Sequence, residues 1–308
     1  MDSSKGVVIP FIIITFETIE TVIGLITSLF IVCTIIGDFL KGQTKNTVDK
    51  IVFSLTCSNI CLQSFLFVYT LAITFHFNPG SYTKLIILLL VTYGRISCMW
   101  MSMCLSFFHC IKIIQFRSGF FSLVKKKIDG LIPWMIVVIQ AMSLGCSFLT
   151  APSMVPPQAP MNMNNISEIA FANNTEHSNS QEVNIVYYIN FGPFLMAVII
   201  TAFTTISLVV HVHRMARTSS TSSSNTVKTR RVVWTLVQLL ALYLIFYLIM
   251  MVAFSVQMST TYFNDFFVIL QFAFCPVQSF ILIFGNPSYK EICTAVCCRL
   301  RRYRRKLS

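Results

Sequence analysis

Charge is what this sequence most lacks. Only 11% of its 308 residues are Asp, Glu, Lys or Arg, and 55% are hydrophobic, whereas soluble domains carry about a quarter charged residues. That scarcity excludes an ordinary water-soluble fold. Histidine is sparse as well, with five residues scattered at positions 76, 109, 177, 211 and 213. His211 and His213 are two apart and point about 200° away from each other on a helix, so they cannot share a metal. There is no HExxH, no nucleophile motif and no glycine-rich phosphate loop. The expectation is therefore no enzyme, no metal and no cofactor. Cysteine is missing from the one long polar stretch, residues 150–185, so no disulfide can tie that loop to a neighbouring helix.

What is present is apolar sequence in long runs. About 20 residues are needed to cross about 30 Å of hydrocarbon, and seven stretches qualify: 9–36, 51–75, 85–114, 130–149, 186–210, 232–256 and 266–284. The fourth is the weakest, because Pro133 lies near its start. The first run is longer than a signal-peptide core and carries Glu17 and Glu20, which favours a retained span. The reading is an all-α integral membrane bundle, with a seven-span domain over 1–286 and a basic tail over 287–308.

Basic residues orient the bundle. With the N-terminus outside, all of the 23 Lys and Arg residues except Lys5, Lys84 and Arg95 fall on the cytosolic side. The net charge of +12 is mostly this bias, and no nucleic-acid partner is implied. The 150–185 loop, which has no Lys or Arg, then lies outside. It holds two N-x-S/T acceptors, Asn165 with Ser167 and Asn173 with Thr175. Cys297 and Cys298 precede "RLRRYRRK", a place suited to palmitoylation beside membrane lipid; unmodified thiols are the alternative.

Seven spans with an outside N-terminus is the architecture of G protein-coupled receptors. The rhodopsin-type marks are largely missing: there is no DRY, no CWxP, and only "NPSY" at 286–289. Another set is present. "WMSMCLSFFHCIKIIQF" (100–116) resembles the W-x-A-T-x-L-S-x-F-Y-x-L-K-I-A-x-F run of the bitter taste receptors, the type 2 taste receptor family. "SLVVHVHRM" (207–215) is similar to that family's S-L-x-x-H-x-x-x-M, and "QSFILIFGN" (278–286) to its H-S-F-I-L-I-x-G-N. Glu20 with Gly24, and "ICLQ" at 60–63, match further fragments. Departures fall at Ser28, Asn59, His109 and Gln278, where the family has Asn, Arg, Tyr and His, and the family's pattern before span six is not recognisable in "NTVKTRRVVW". These departures suggest a divergent member.

The resemblance implies a plasma-membrane receptor. A small-molecule agonist would enter the outer cavity, and a gustducin-like heterotrimeric G protein of the inhibitory class would couple at the cytosolic face. The implied ligand wall is Leu88, Val91, Thr92 and Arg95 of span three, Phe246, Tyr247 and Met250 of span six, and Asp265, Val268, Gln271 and Phe272 near span seven. The implied coupling surface includes His109, Lys112, His211 and Met215. Arg95 stands out, because a guanidinium in hydrocarbon costs from about 3 to above 10 kcal/mol. Either it faces ligand, or Glu17, Glu20 or Asp265 neutralises it. A seven-span solute transporter is the competing class, although no internal repeat is evident in the sequence.

Overall fold

The structure, a computed structural model, describes residues 5–42, 46–75, 77, 80–113, 119–151 and 261–307, with scattered positions between 195 and 249. These residues form six long helices: α1 (Lys5–Leu40), α2 (Thr47–Thr74), α3 (Ser81–Ile113), α4 (Gly119–Thr150), α5 (Thr261–Gly285) and α6 (Pro287–Leu307). Among the described residues four segments are long and apolar enough to cross a membrane: Ile12–Leu40, Thr47–Thr74, Ser81–His109 and Lys126–Thr150. Ile269–Gly285 of α5 qualifies together with the start of α6, the two being bent by 100°. The apolar stretches at 186–210 and 232–256 lie mostly outside the described residues; the positions seen there, such as Leu195, Phe203, Leu239 and Phe246, are helical.

Local chemistry sets the ends of these helices. After α1 the chain turns at Gly42, whose φ of +73° is a left-handed conformation that glycine adopts without strain. Asn46, in an extended conformation, opens α2, and Asp49 places a carboxylate in its positive first turn. Between α5 and α6, Asn286 Oδ1 accepts the backbone N–H of Ser288 at 3.0 Å while Pro287 takes the first helical position. That is an N-cap followed by the residue whose missing N–H costs nothing there, so "NPSY" both stops α5 and starts α6 in a new direction.

Two expectations are extended here. The fourth helix begins at Gly119, well before residue 130, and accommodates Pro133 internally. The lysine-rich stretch before Pro133 is made of helix-compatible residues, and Pro133, in the interior of this 32-residue helix, gives up one internal hydrogen bond without ending it. The basic tail is a helix, α6, whose Tyr289 is buried and whose Cys293 packs against the core.

The packing is what lipid demands. Large apolar side chains such as Ile26, Phe16, Trp134, Val137, Val138 and Phe284 are exposed, while Ser28, Asn59, Gln63, Ser97, Ser143 and Ser279 are buried. Contacts join α1 to α2 and α5, α2 to α3, and α3 to α4. Small residues let these helices approach closely. A Cβ built on Gly94 would lie 2.9 Å from the backbone nitrogen and Cα of Leu62, and one on Gly24 would run into the Gln63 side chain.

Candidate functional site

The centre of the bundle is Asn59. Its Oδ1 accepts the thiol of Cys98 at 2.9 Å and that of Cys275 at 3.9 Å, so α2, α3 and α5 meet at one atom. Residues three or four apart on a helix share a face. One turn from this junction, away from the basic helix ends, stand Gln63 on α2, Arg95 on α3 and Gln271 on α5. The Gln63 side-chain N–H donates to the Glu20 carbonyl at 3.1 Å, which adds α1 to the same layer. In this layer Gln63 Oε1, Arg95 Nε, Gln271 Nε2, Glu20 Oε2 and Thr21 Oγ1 are all buried with no hydrogen-bond partner among the described residues. A buried donor or acceptor left unpaired costs about 1–3 kcal/mol. Among the described residues the layer thus holds donors, acceptors and one permanent cation from four helices, several of whose polar atoms are left unpaired.

A second polar cluster is closed. Gln140 Oε1 accepts the hydroxyls of Tyr93 at 2.7 Å and Ser97 at 2.9 Å, and its amide N–H donates to Ser54 Oγ at 2.7 Å. Ser58 and Ser97 share a further bond at 2.7 Å. These bonds lock α4 to α2 and α3.

At the basic ends of the helices is a cavity of about 610 Å³, lined among others by Asp38, Asp49, Asp129, His109, Asn46 and Tyr289. The Tyr289 hydroxyl donates to Asp49 Oδ1 at 3.0 Å, and the Thr47 hydroxyl to Asp129 Oδ1 at 2.7 Å. These bonds tie α6 and α4 to the start of α2.

The expected ligand stripe sits on α3. Leu88, Val91 and Thr92 are buried and Arg95 is half-buried. No ion pair from Arg95 to a carboxylate is present among the described residues. Phe272 is fully buried and meets Phe67 edge-on at 6.4 Å, while Phe246 lies 4.5 Å from the Phe274 ring. Asp265 and Val268 are on α5, but their side chains, like Tyr247 and Met250, fall outside the described residues. Of the coupling residues, His109 lines the 610 Å³ cavity and Lys112 ends α3 with its side chain undescribed. His211, Met215, Asn165 and Asn173 lie outside the described residues. Cys298 is exposed on α6; Cys297 is on the same helix, with its side chain undescribed.

Gln63 belongs to the layer around Arg95 although sequence reasoning used it only as a motif position, whereas Glu20 was among the carboxylates weighed as neutralising the arginine. A usable signal was there: Asn59 and Gln63 are two amides one turn apart inside an apolar run, a costly pair in lipid. The three aspartates of the basic-end cavity gave no such signal, being single charges on three separate stretches.

Apolar helices with outward hydrophobic faces and inward polar layers define a multi-pass helical membrane protein. Residues 4–301 match the family described as Taste receptor protein (TAS2R), and the chain belongs to that family. It is 24% identical over 295 residues to Taste receptor type 2 member 40 of Gallus gallus, covering 90% of this chain and 91% of the relative. It is 22% identical over 320 aligned residues to Taste receptor type 2 member 39 of Homo sapiens, covering 98% and 92%. Taste receptor type 2 member 8 of Homo sapiens is 31% identical over 144 residues, 46% of each chain. The transporter alternative gains no support from these matches.

Proposed function

We propose that the chain is a chemosensory G protein-coupled receptor with seven spans, its N-terminus outside, at the plasma membrane. It takes small bitter-type molecules in the half of the bundle remote from the basic ends. The observation that supports this reading is the layer of Glu20, Gln63, Arg95 and Gln271, four helices presenting buried polar atoms without partners among the described residues. A ligand that pairs them recovers what burial costs, and one that does so better in the active arrangement shifts the population toward it. Arg95 gives the layer a preference for an anionic or strong acceptor group on an apolar skeleton. A charged hydrogen bond contributes roughly 1.5–3 kcal/mol, about tenfold or more in potency.

Coupling to a gustducin-like G protein falls to the basic face. There His109 of α3 lines the 610 Å³ cavity, and Lys112, His211 and Met215 are the further residues that the family resemblance assigns to coupling. Cys297 and Cys298, on a basic helix bent away from α5, would be acylated at the lipid surface.

The test compares a carboxylic-acid agonist with its methyl ester, read as calcium release in cells supplied with a gustducin-like G protein. On the wild type the acid should be at least about tenfold more potent; on Arg95→Gln, matched for surface expression, the two should converge. Equal potency on both receptors would remove Arg95 from the ligand site. The orientation has its own check: glycosidase treatment should speed gel migration of the wild type and leave the Asn165→Gln, Asn173→Gln double variant unchanged.

A further inference from the structure

A second crevice opens on the outside of the bundle, where α2, α3 and α4 meet. Its volume is about 550 Å³, and its walls include Phe53, Cys57 and Cys61 of α2 with Pro133 and Ile136 of α4. Lys50 lines it at the basic end. The floor is the closed cluster of Tyr93, Gln140, Ser54 and Ser58, whose hydrogen bonds are made within the protein. Beside the crevice, α4 turns Trp134, Val137 and Val138 outward, 71%, 60% and 60% exposed, so this side of the molecule faces lipid.

We infer that this crevice is a binding site for one acyl chain of an anionic bilayer lipid, whose headgroup is held by Lys50. Three observations agree. The wall residues Lys50, Phe53, Cys57 and Cys61 recur at helical spacing on one face of α2, so the crevice runs along the helix. From Lys50 to Cys61 the helix rises about 16 Å, close to half of the roughly 30 Å hydrocarbon core, the depth of a single leaflet. The charge stands at the end where a headgroup would be, and further positive charge is near, because Lys126 and Lys127 are exposed at the start of the α4 span. The nearby carboxylate on α4, Asp129, lines the cavity on the other side and accepts the Thr47 hydroxyl. With its floor hydrogen-bonded within the protein, the crevice beyond Lys50 offers a chain mainly apolar contact, which suits hydrocarbon better than a polar solute.

The test uses the full chain in nanodiscs holding phosphatidylserine or phosphatidylcholine with a photoreactive diazirine on one acyl chain, with cross-links mapped by peptide mass spectrometry. The serine lipid should label 53–61 and 133–140 roughly fivefold more than the choline lipid, the ratio that about 1 kcal/mol per basic residue at an anionic surface corresponds to. Lys50→Gln should remove that excess and Lys50→Arg should keep it, while Ile136→Trp, which fills the crevice, should lower labelling by both lipids. Equal labelling by the two lipids of the wild type overturns the inference, and so does an excess that survives Lys50→Gln. Because no agonist or G protein is involved, this result is independent of the receptor reading.

Discussion

Two polar clusters lie inside the same membrane helices and behave in opposite ways. The one built on Gln140 is closed: each side-chain hydrogen bond it makes ends on another residue of the cluster, and it joins α4 to α2 and α3. The one around Arg95 is open: α1, α2, α3 and α5 each bring a polar atom to it and leave that atom unpaired among the described residues. Interior polarity is costly in lipid in both places. Where the protein closes the bonds itself, the gain is stability and one fixed arrangement. Where it leaves them open, the gain would come from the ligand proposed for that layer.

Substitutions can separate these two roles. The largest effect is expected at Gly94, which lies beside Arg95 and against the Leu62 backbone. Gly94→Ala puts a methyl group into main-chain atoms that cannot rotate away. Overpacking of this kind costs about 1–3 kcal/mol, so detergent-solubilised receptor should melt several degrees lower, with surface expression down and both clusters disturbed together. Next comes the closed cluster alone. Gln140→Leu removes three hydrogen bonds, each contributing about 0.6 kcal/mol inside membranes, a loss near 2 kcal/mol that a thermal-shift assay would register while the acid-to-ester potency ratio stays as in the wild type. The smallest change is expected in the open layer. Gln271→Leu deletes a buried donor that has no partner among the described residues, so unliganded stability should hold or rise by up to about 1 kcal/mol while agonist potency falls. A drop in stability for Gln271→Leu as large as for Gln140→Leu would erase the distinction between the clusters.

The sequence disclosed these features unevenly. Apolar runs near the length of a bilayer mark α1 to α5 directly, because lipid forces both length and composition on a crossing helix. Arg95 was conspicuous for the same reason, a charge in hydrocarbon being too costly to be incidental. Its surroundings were hidden. That Gln63, Arg95 and Gln271 share a layer follows only from the meeting of Cys98 and Cys275 at Asn59, three residues from helices far apart in the chain. Spacing within one helix cannot report that. Gln140 was equally silent, since a single amide in an apolar run has no preferred partner until α4 is docked. The basic tail read as charge and thiols; its helical form and its turn away from α5 depend on the cap at Asn286, which matters only once α5 ends there.

The glycine contacts also bear on mechanics. Where two helix backbones touch through a missing Cβ there is no clearance for rolling, because a few tens of degrees of rotation would drive the neighbouring Tyr93 or Arg95 side chain toward Leu62. With Gly94 seated on the Leu62 backbone, α2 and α3 amount to a fixed plate. A torque applied at Arg95 by the proposed ligand would then be delivered to the helices packed around that plate and not absorbed within it.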